Sequence, residues 1–149
     1  MKKFLNEMDQ ITECTEFPVK FNEVDSLGIV WHGHYVRYFE DGREAFGEKY
    51  ALRYLDVFEA GYTAPVVNIQ LDYKRPLRYG DRVKVATTFV DDLAAKIRFN
   101  YVLSNPATGE IIAKGSSVQV FLDKETALLQ LTTPAFFSEW KKQHLHNHL

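Results

Sequence analysis

Cysteine is nearly absent from this chain. Cys14 is the single one among 149 residues, which excludes an intrachain disulfide framework and suits a reducing compartment. Long apolar runs are missing too, and none approaches the roughly 18 to 20 residues that a membrane-spanning helix needs. Met1 to Gln10 carries Lys2 and Lys3 and then alternates apolar with acidic and polar side chains, unlike the apolar core of a secretory signal. A soluble, cytoplasmic protein is the expectation. Nor does charge of one sign dominate, because 18 basic and 20 acidic residues leave a net charge of −2. No global field therefore recruits nucleic acid or an anionic membrane, and an anionic ligand must be met locally.

Several catalytic signatures are also lacking. Cys14 and the dispersed histidines supply no zinc ligand set, so neither a metal nor a separate cofactor is expected. The one glycine-rich loop has no P-loop lysine and hydroxyl pair, and no Gly-x-Ser-x-Gly elbow occurs. His144-Leu-His-Asn-His148 invites a metal reading, but alternate spacing sends the three imidazoles to different sides of a helix, and a frayed, solvated tail is expected.

What is present suits one domain over 1–149, since 46% hydrophobic and 26% charged residues are enough for a buried core. Thr12 to Asn22 reads as a first strand, with Phe17, Val19 and Phe21 repeating every two residues. From Tyr35 the period changes. Tyr35, Phe39, Gly42, Phe46 and Tyr50 share one side of a helix, and Gly42 and Gly47 suggest close packing against a sheet. Leu52 to Glu59 reads as a short extra helical turn ended by Gly61. Four strands follow: Pro65 to Tyr73, Arg82 to Asp91, Lys96 to Ser104 and Ile111 to Leu122. Pro134 to Gln143 reads as a terminal helix with Phe136, Phe137 and Trp140 on its apolar side. The order of strand, helix, four strands predicts an α+β domain with an antiparallel sheet and one long helix laid on it. Such a sheet leaves an edge or a face needing cover, so self-association is expected.

The stretch with most chemistry is Phe21-Asn22-Glu23-Val24-Asp25-Ser26-Leu27-Gly28-Ile29-Val30-Trp31-His32-Gly33-His34-Tyr35. It places a carboxylate beside a helix N-terminus. Asp25 there suits a base or nucleophile, and unpaired helix-start amides with the positive end of the helix dipole suit a developing oxyanion. A turn aspartate satisfying loop amides is the structural alternative. Gly28 stands either where the backbone needs an unusual angle or close approach, or as an ordinary turn glycine.

These residues resemble the hotdog-fold acyl-CoA thioesterases of the 4-hydroxybenzoyl-CoA thioesterase type. Asp25-Ser-Leu-Gly28-Ile-Val-Trp-His32-Gly-His-Tyr35 is similar to that family's Asp-x-x-Gly-x-Val-x-x-x-x-Tyr loop and helix start. Tyr73-Lys-Arg-Pro76-Leu-Arg-Tyr-Gly80-Asp81 is similar to its Tyr-x-x-Pro-x-x-x-Gly-Asp segment, and Gly109 to Asp123 to its final strand. The likeness spans about 12–125. It implies a five-stranded antiparallel sheet wrapped around one long helix, with dimers joined sheet edge to sheet edge, often paired into tetramers, and active sites at the dimer interface.

The resemblance further implies hydrolysis of an acyl-CoA or aroyl-CoA thioester, with Asp25 attacking the carbonyl or activating water. It places at His32 the residue whose backbone amide faces the thioester oxygen, and leaves an imidazole role open. Tyr35 heads the apolar stripe and suits the core before the substrate, while Trp31 either lines an acyl pocket or plugs the core. Asn68 lies where relatives reach a neighbour's site, though a ladder-edge amide is the plainer account.

Lys74, Arg75, Arg78, Arg82 and Lys84 against Asp72 and Asp81 give a local excess of three positive charges. Lys74, Arg75 and Arg78 are the candidates for coenzyme A phosphates, with a solvated strand edge as the alternative. An acyl carrier protein would meet the same basic segment. Hotdog dehydratases use a histidine motif absent here, and a non-catalytic thioester-binding module is the alternative of a different class.

Overall fold

The change of hydrophobic period at Tyr35 marks the change from strand to helix. In the computed structural model, which describes residues 10–145, the chain runs through β1 (Thr12–Pro18), a single 3-10 turn (Phe21–Glu23), α1 (His34–Tyr50) and α2 (Tyr54–Glu59). It continues through β2 (Tyr62–Thr63), β3 (Val66–Tyr73), β4 (Arg82–Val90), β5 (Lys96–Ser104), β6 (Ile111–Val120), β7 (Leu122–Asp123) and α3 (Ala135–Leu145). Five strands form one antiparallel sheet in the order β1-β4-β5-β6-β3. With α1 this is the hotdog architecture that the family resemblance implies, and it agrees with the α+β element order. Among the described residues no helix is long and apolar enough to cross a membrane.

Strict alternation makes β4 and β5 the floor of the core. Val83, Val85, Thr87 and Phe89 on β4, and Ile97, Phe99, Tyr101 and Leu103 on β5, are all buried. Helix α1 answers with Tyr35, Tyr38, Phe39, Gly42, Phe46 and Gly47, a stripe at helical spacing. Phe39 stacks on Tyr101 with ring centroids 4.4 Å apart, and Phe46 meets Phe99 edge-on at 5.0 Å. Each fully buried aromatic of this kind contributes about 2 to 3 kcal/mol of apolar transfer free energy. Gly42 is where helix and sheet come closest, since a Cβ there would stand 2.5 Å from Val85 Cγ1 and nearer still to Thr87 Oγ1.

Helix α3 closes one end of the core. Phe137 and Trp140 are buried against Phe89 and Phe121, and Trp140 Nε1 donates to the Tyr50 carbonyl in the last turn of α1 at 2.6 Å. That bond satisfies a helix-terminal acceptor that would otherwise need water.

Three expectations need correcting. The first strand stops at Pro18, and the 3-10 turn rotates Phe21 out of the inward phase into solvent, where it is 74% exposed and meets Tyr79 edge-on. The last strand breaks at the buried Phe121, and the residues beyond it pair with β2 as a separate two-stranded sheet. His144 belongs to α3, half-buried beside the Trp140 ring, with Nδ1 2.9 Å from the Trp140 carbonyl oxygen, so it is no part of a frayed tail. His146 and His148 lie outside the described residues.

Topology also decides which segment meets the Asp25 loop. After β3 the chain must cross to β4 on the far side of the sheet, and the 74–81 connection passes beside the 24–30 loop. The Val30 amide donates to the Leu77 carbonyl at 2.8 Å, and Ile29 forms a bridge with Arg78. Two stretches almost fifty residues apart in sequence are thereby tied together.

Candidate active site

Residues 24–30 form a small hairpin. Val24 bridges Val30, the Asp25 amide donates to the Ile29 carbonyl at 2.8 Å, and the Gly28 amide returns to the Asp25 carbonyl at 3.0 Å. Gly28 has φ +79°, which a side chain would strain, while nothing crowds its Cβ position; it serves the turn and not a close approach. Asp25 Oδ1 accepts the Leu27 amide at 2.8 Å. Oδ2 takes part in no hydrogen bond or ion pair with another described residue. The turn aspartate and the available carboxylate are therefore one residue, divided between its two oxygens.

Beneath the hairpin lies a carboxylate that sequence reasoning missed. Glu23 is 3% exposed and accepts the Lys20 amide at 2.7 Å and the Tyr38 hydroxyl at 3.0 Å, while its other oxygen pairs with Arg37. Its carbonyl accepts the Trp31 amide at 3.0 Å. Burial, and then the Glu23 charge, push the Tyr38 phenol well above the usual tyrosine value, so it remains the donor of that pair. Glu23 thus locks both ends of the loop to the second turn of α1. No local pattern signals it, since Phe21 in the same alternating phase is exposed.

The helix begins without a cap. Gly33 is its N-cap, no side chain caps it, and its first turn carries no acidic residue. The His34 and Tyr35 amides turn back to the Trp31 and His32 carbonyls at 3.0 and 3.3 Å. Those of His32 and Gly33 donate to no described residue. Two free donors at the positive end of a 17-residue helix favour an anion.

Asp25 and His32 line one cavity of about 380 Å³ with Tyr35, Tyr73, Lys74 and Arg75; Leu27, Ile29, Val30 and Pro76 complete its wall. Tyr35 belongs to both core and cavity, being 3% exposed and set edge-on to Tyr73 at 4.9 Å. Burial raises both of these phenols above the ordinary tyrosine value.

Other candidates lie apart. Trp31 is 49% exposed, so it does not plug the core; its ring lies over Gly33 and beside His32, outside the cavity wall. Asn68 is on the exposed edge strand β3, paired with Val118 and about 17 Å along the strand from Tyr73. The basic cluster is split: Arg75 pairs with Glu110 at 3.2 Å and Arg82 approaches Glu16 at 3.8 Å. The backbone of Arg78 is held by Ile29 and by Asp81, leaving Lys74 and Arg75 as its members at the cavity. A second cavity of similar volume, between α1, α2 and β5, is lined by Glu40, Arg43, Leu52, Tyr54 and Phe99 among others.

Residues 19–143 match the Thioesterase-like superfamily. A Bacillus subtilis (strain 168) protein, YneP, described as a candidate acyl-CoA thioesterase, is 37% identical over 111 residues, 74% of this chain and 80% of its own length. The Staphylococcus aureus DHNA-CoA thioesterase has a structure similar to this one, with TM-score 0.78, 26% identity, and coverage of 92% of this chain and 94% of its own. The 4-hydroxybenzoyl-CoA thioesterase solved with 4-hydroxybenzoyl-CoA shares the fold at TM-score 0.74 and 18% identity, covering 87% of this chain and 97% of its own. Family match, relative and fold agree: the chain belongs to the thioesterase-like superfamily, as a hotdog-fold thioester hydrolase.

Proposed function

We propose that this protein hydrolyses the thioester of an acyl-CoA or aroyl-CoA at the Asp25 cavity, releasing a free acid and coenzyme A. The observation that carries this reading is that the free oxygen of Asp25 shares a cavity with His32, at the uncapped start of α1. The thioester carbonyl takes its place against the His32 and Gly33 amides, which stabilise the charge that develops on its oxygen. Asp25 then acts by one of two routes. Its oxygen attacks the carbonyl carbon, the C–S bond breaks, coenzyme A leaves as thiolate, and water cleaves the resulting anhydride. Alternatively Asp25 removes a proton from water, whose oxygen attacks and expels the same thiolate. Either way the amide donors do the same work, whatever the His32 ring adds.

Lys74 and Arg75 at the rim supply the positive charge for coenzyme A phosphates. The proposed assembly is a homodimer, or a homotetramer of dimers, joined along β3. That edge has no strand partner on its outer side and presents Val67, Ile69 and Tyr73 to solvent. Pairing there brings Asn68 toward the neighbouring subunit's site.

Thiol release from a panel of short, long and aromatic acyl-CoAs tests the reading, together with the same acyl groups on an acyl carrier protein. Hydrolysis of at least one acyl-CoA is expected, with KM rising as salt screens the phosphate contacts while kcat changes less. A folded protein that releases no thiol from any of them overturns it, and a clear preference for the carrier protein reassigns the donor.

A further inference from the structure

Tyr73 has no role in the chemistry described so far, yet its hydroxyl donates to the His32 carbonyl at 2.8 Å. That carbonyl and the Gly33 N–H belong to one peptide unit, which is planar and trans. Whatever holds the carbonyl therefore holds the N–H on the opposite side of the plane. Little else holds it, because the remaining acceptor contact of the His32 carbonyl is the Tyr35 amide at 3.3 Å. A plane next to glycine rotates at small cost, since no Cβ restricts it. Tyr73 is itself well anchored: it pairs with Ala113 in the sheet, and its ring stands edge-on to Tyr35 at 4.9 Å and to the His32 ring at 6.2 Å. The sheet thus reaches across the cavity to the first peptide units of α1.

We infer that Tyr73 is a positioning residue for thioester hydrolysis, fixing the His32–Gly33 peptide plane so that the Gly33 N–H at the start of α1 faces the developing oxyanion. The hydrogen bond also polarises the peptide and strengthens its N–H as a donor. This inference rests on the hydrolase reading above and adds to it a residue that touches no reacting atom. A phenol is protonated throughout the neutral range, and partial burial shifts this one further the same way, so its hydroxyl remains a donor there.

Tyr73→Phe tests it, because the ring and its contacts remain and one hydroxyl is lost. The expected result is a kcat lower by about tenfold, the effect of one positioned hydrogen bond, with KM within about twofold and the thermal midpoint unchanged. A second measurement reads the donors directly. In an Asp25→Asn background, expected to bind substrate while turning it over far more slowly, the carbonyl stretch of a bound acyl-CoA should be shifted by the amide donors. Adding Tyr73→Phe should reduce that shift. Unchanged kcat and an unchanged carbonyl shift overturn the inference, as does a lowered midpoint with kcat and KM disturbed together, which assigns Tyr73 to packing alone. If the unaltered protein hydrolyses no thioester, the function itself falls and this inference with it; hydrolysis that survives Tyr73→Phe at full rate removes the inference alone.

Discussion

The carboxylate of Asp25 is divided: Oδ1 is bound to the Leu27 amide at 2.8 Å, while Oδ2 takes part in no bond with another described residue. A residue that shapes its own turn with one oxygen holds the other in a defined place. This is the arrangement a nucleophile or general base needs, since a reacting group must be positioned before its basicity matters.

Asp25→Asn should separate the two jobs. Asparagine keeps an oxygen for the Leu27 amide but has no charge for the chemistry. The expected kcat falls by about 10²- to 10⁴-fold with the thermal midpoint nearly unchanged. Asp25→Ala should lose activity equally and cost about 1 kcal/mol of stability besides. Calorimetry beside thiol-release kinetics checks both, and near-normal turnover by folded Asp25→Asn rejects the assignment.

Glu23→Ala should damage the fold. It strands the buried Tyr38 hydroxyl, frees the Lys20 amide and removes the partner of Arg37. A loss of about 2 to 4 kcal/mol is expected in denaturant titration, because a buried donor without an acceptor carries its full desolvation cost. Glu23→Gln keeps acceptors for Lys20 and Tyr38 and should lose less. Equal losses in the two variants would contradict this account.

Gly42→Ala reverses the usual expectation for a helix. Alanine is favoured over glycine by about 1 kcal/mol in a helix interior, but here its methyl collides with Val85 and Thr87. The net effect should be destabilisation of about 1 to 3 kcal/mol, seen as a lower denaturation midpoint with α1 still formed by circular dichroism.

Much of this architecture was legible because it depends on periodicity. The α1 stripe from Tyr35 to Phe46 and the alternating residues of β4 and β5 are local patterns, and burial followed them. Phe21 misled for the same reason, since alternation continues in sequence past the point where the 3-10 turn ends the strand. Val24 to Val30 announced its turn through Asp25 and Gly28, whose roles follow from neighbours two or three residues away.

Contacts between distant segments were not legible. Lys74 and Arg75 separate from Arg82 because the β3-to-β4 crossover carries the first two past the Asp25 hairpin, while Arg82 begins β4 beside Glu16 of β1. Charge clustering in sequence says nothing about that division. Glu23 beneath Tyr38 and Tyr73 against the His32 carbonyl are likewise products of packing, fifteen and forty-one residues apart. The sequence by itself determined the fold class, the family and the acid beside a helix start, because each is written in local spacing and residue type. Tertiary structure alone decided which cations line the Asp25 cavity and what holds the helix-start peptide in place, because those depend on side chains that meet only once the sheet has brought its strands together.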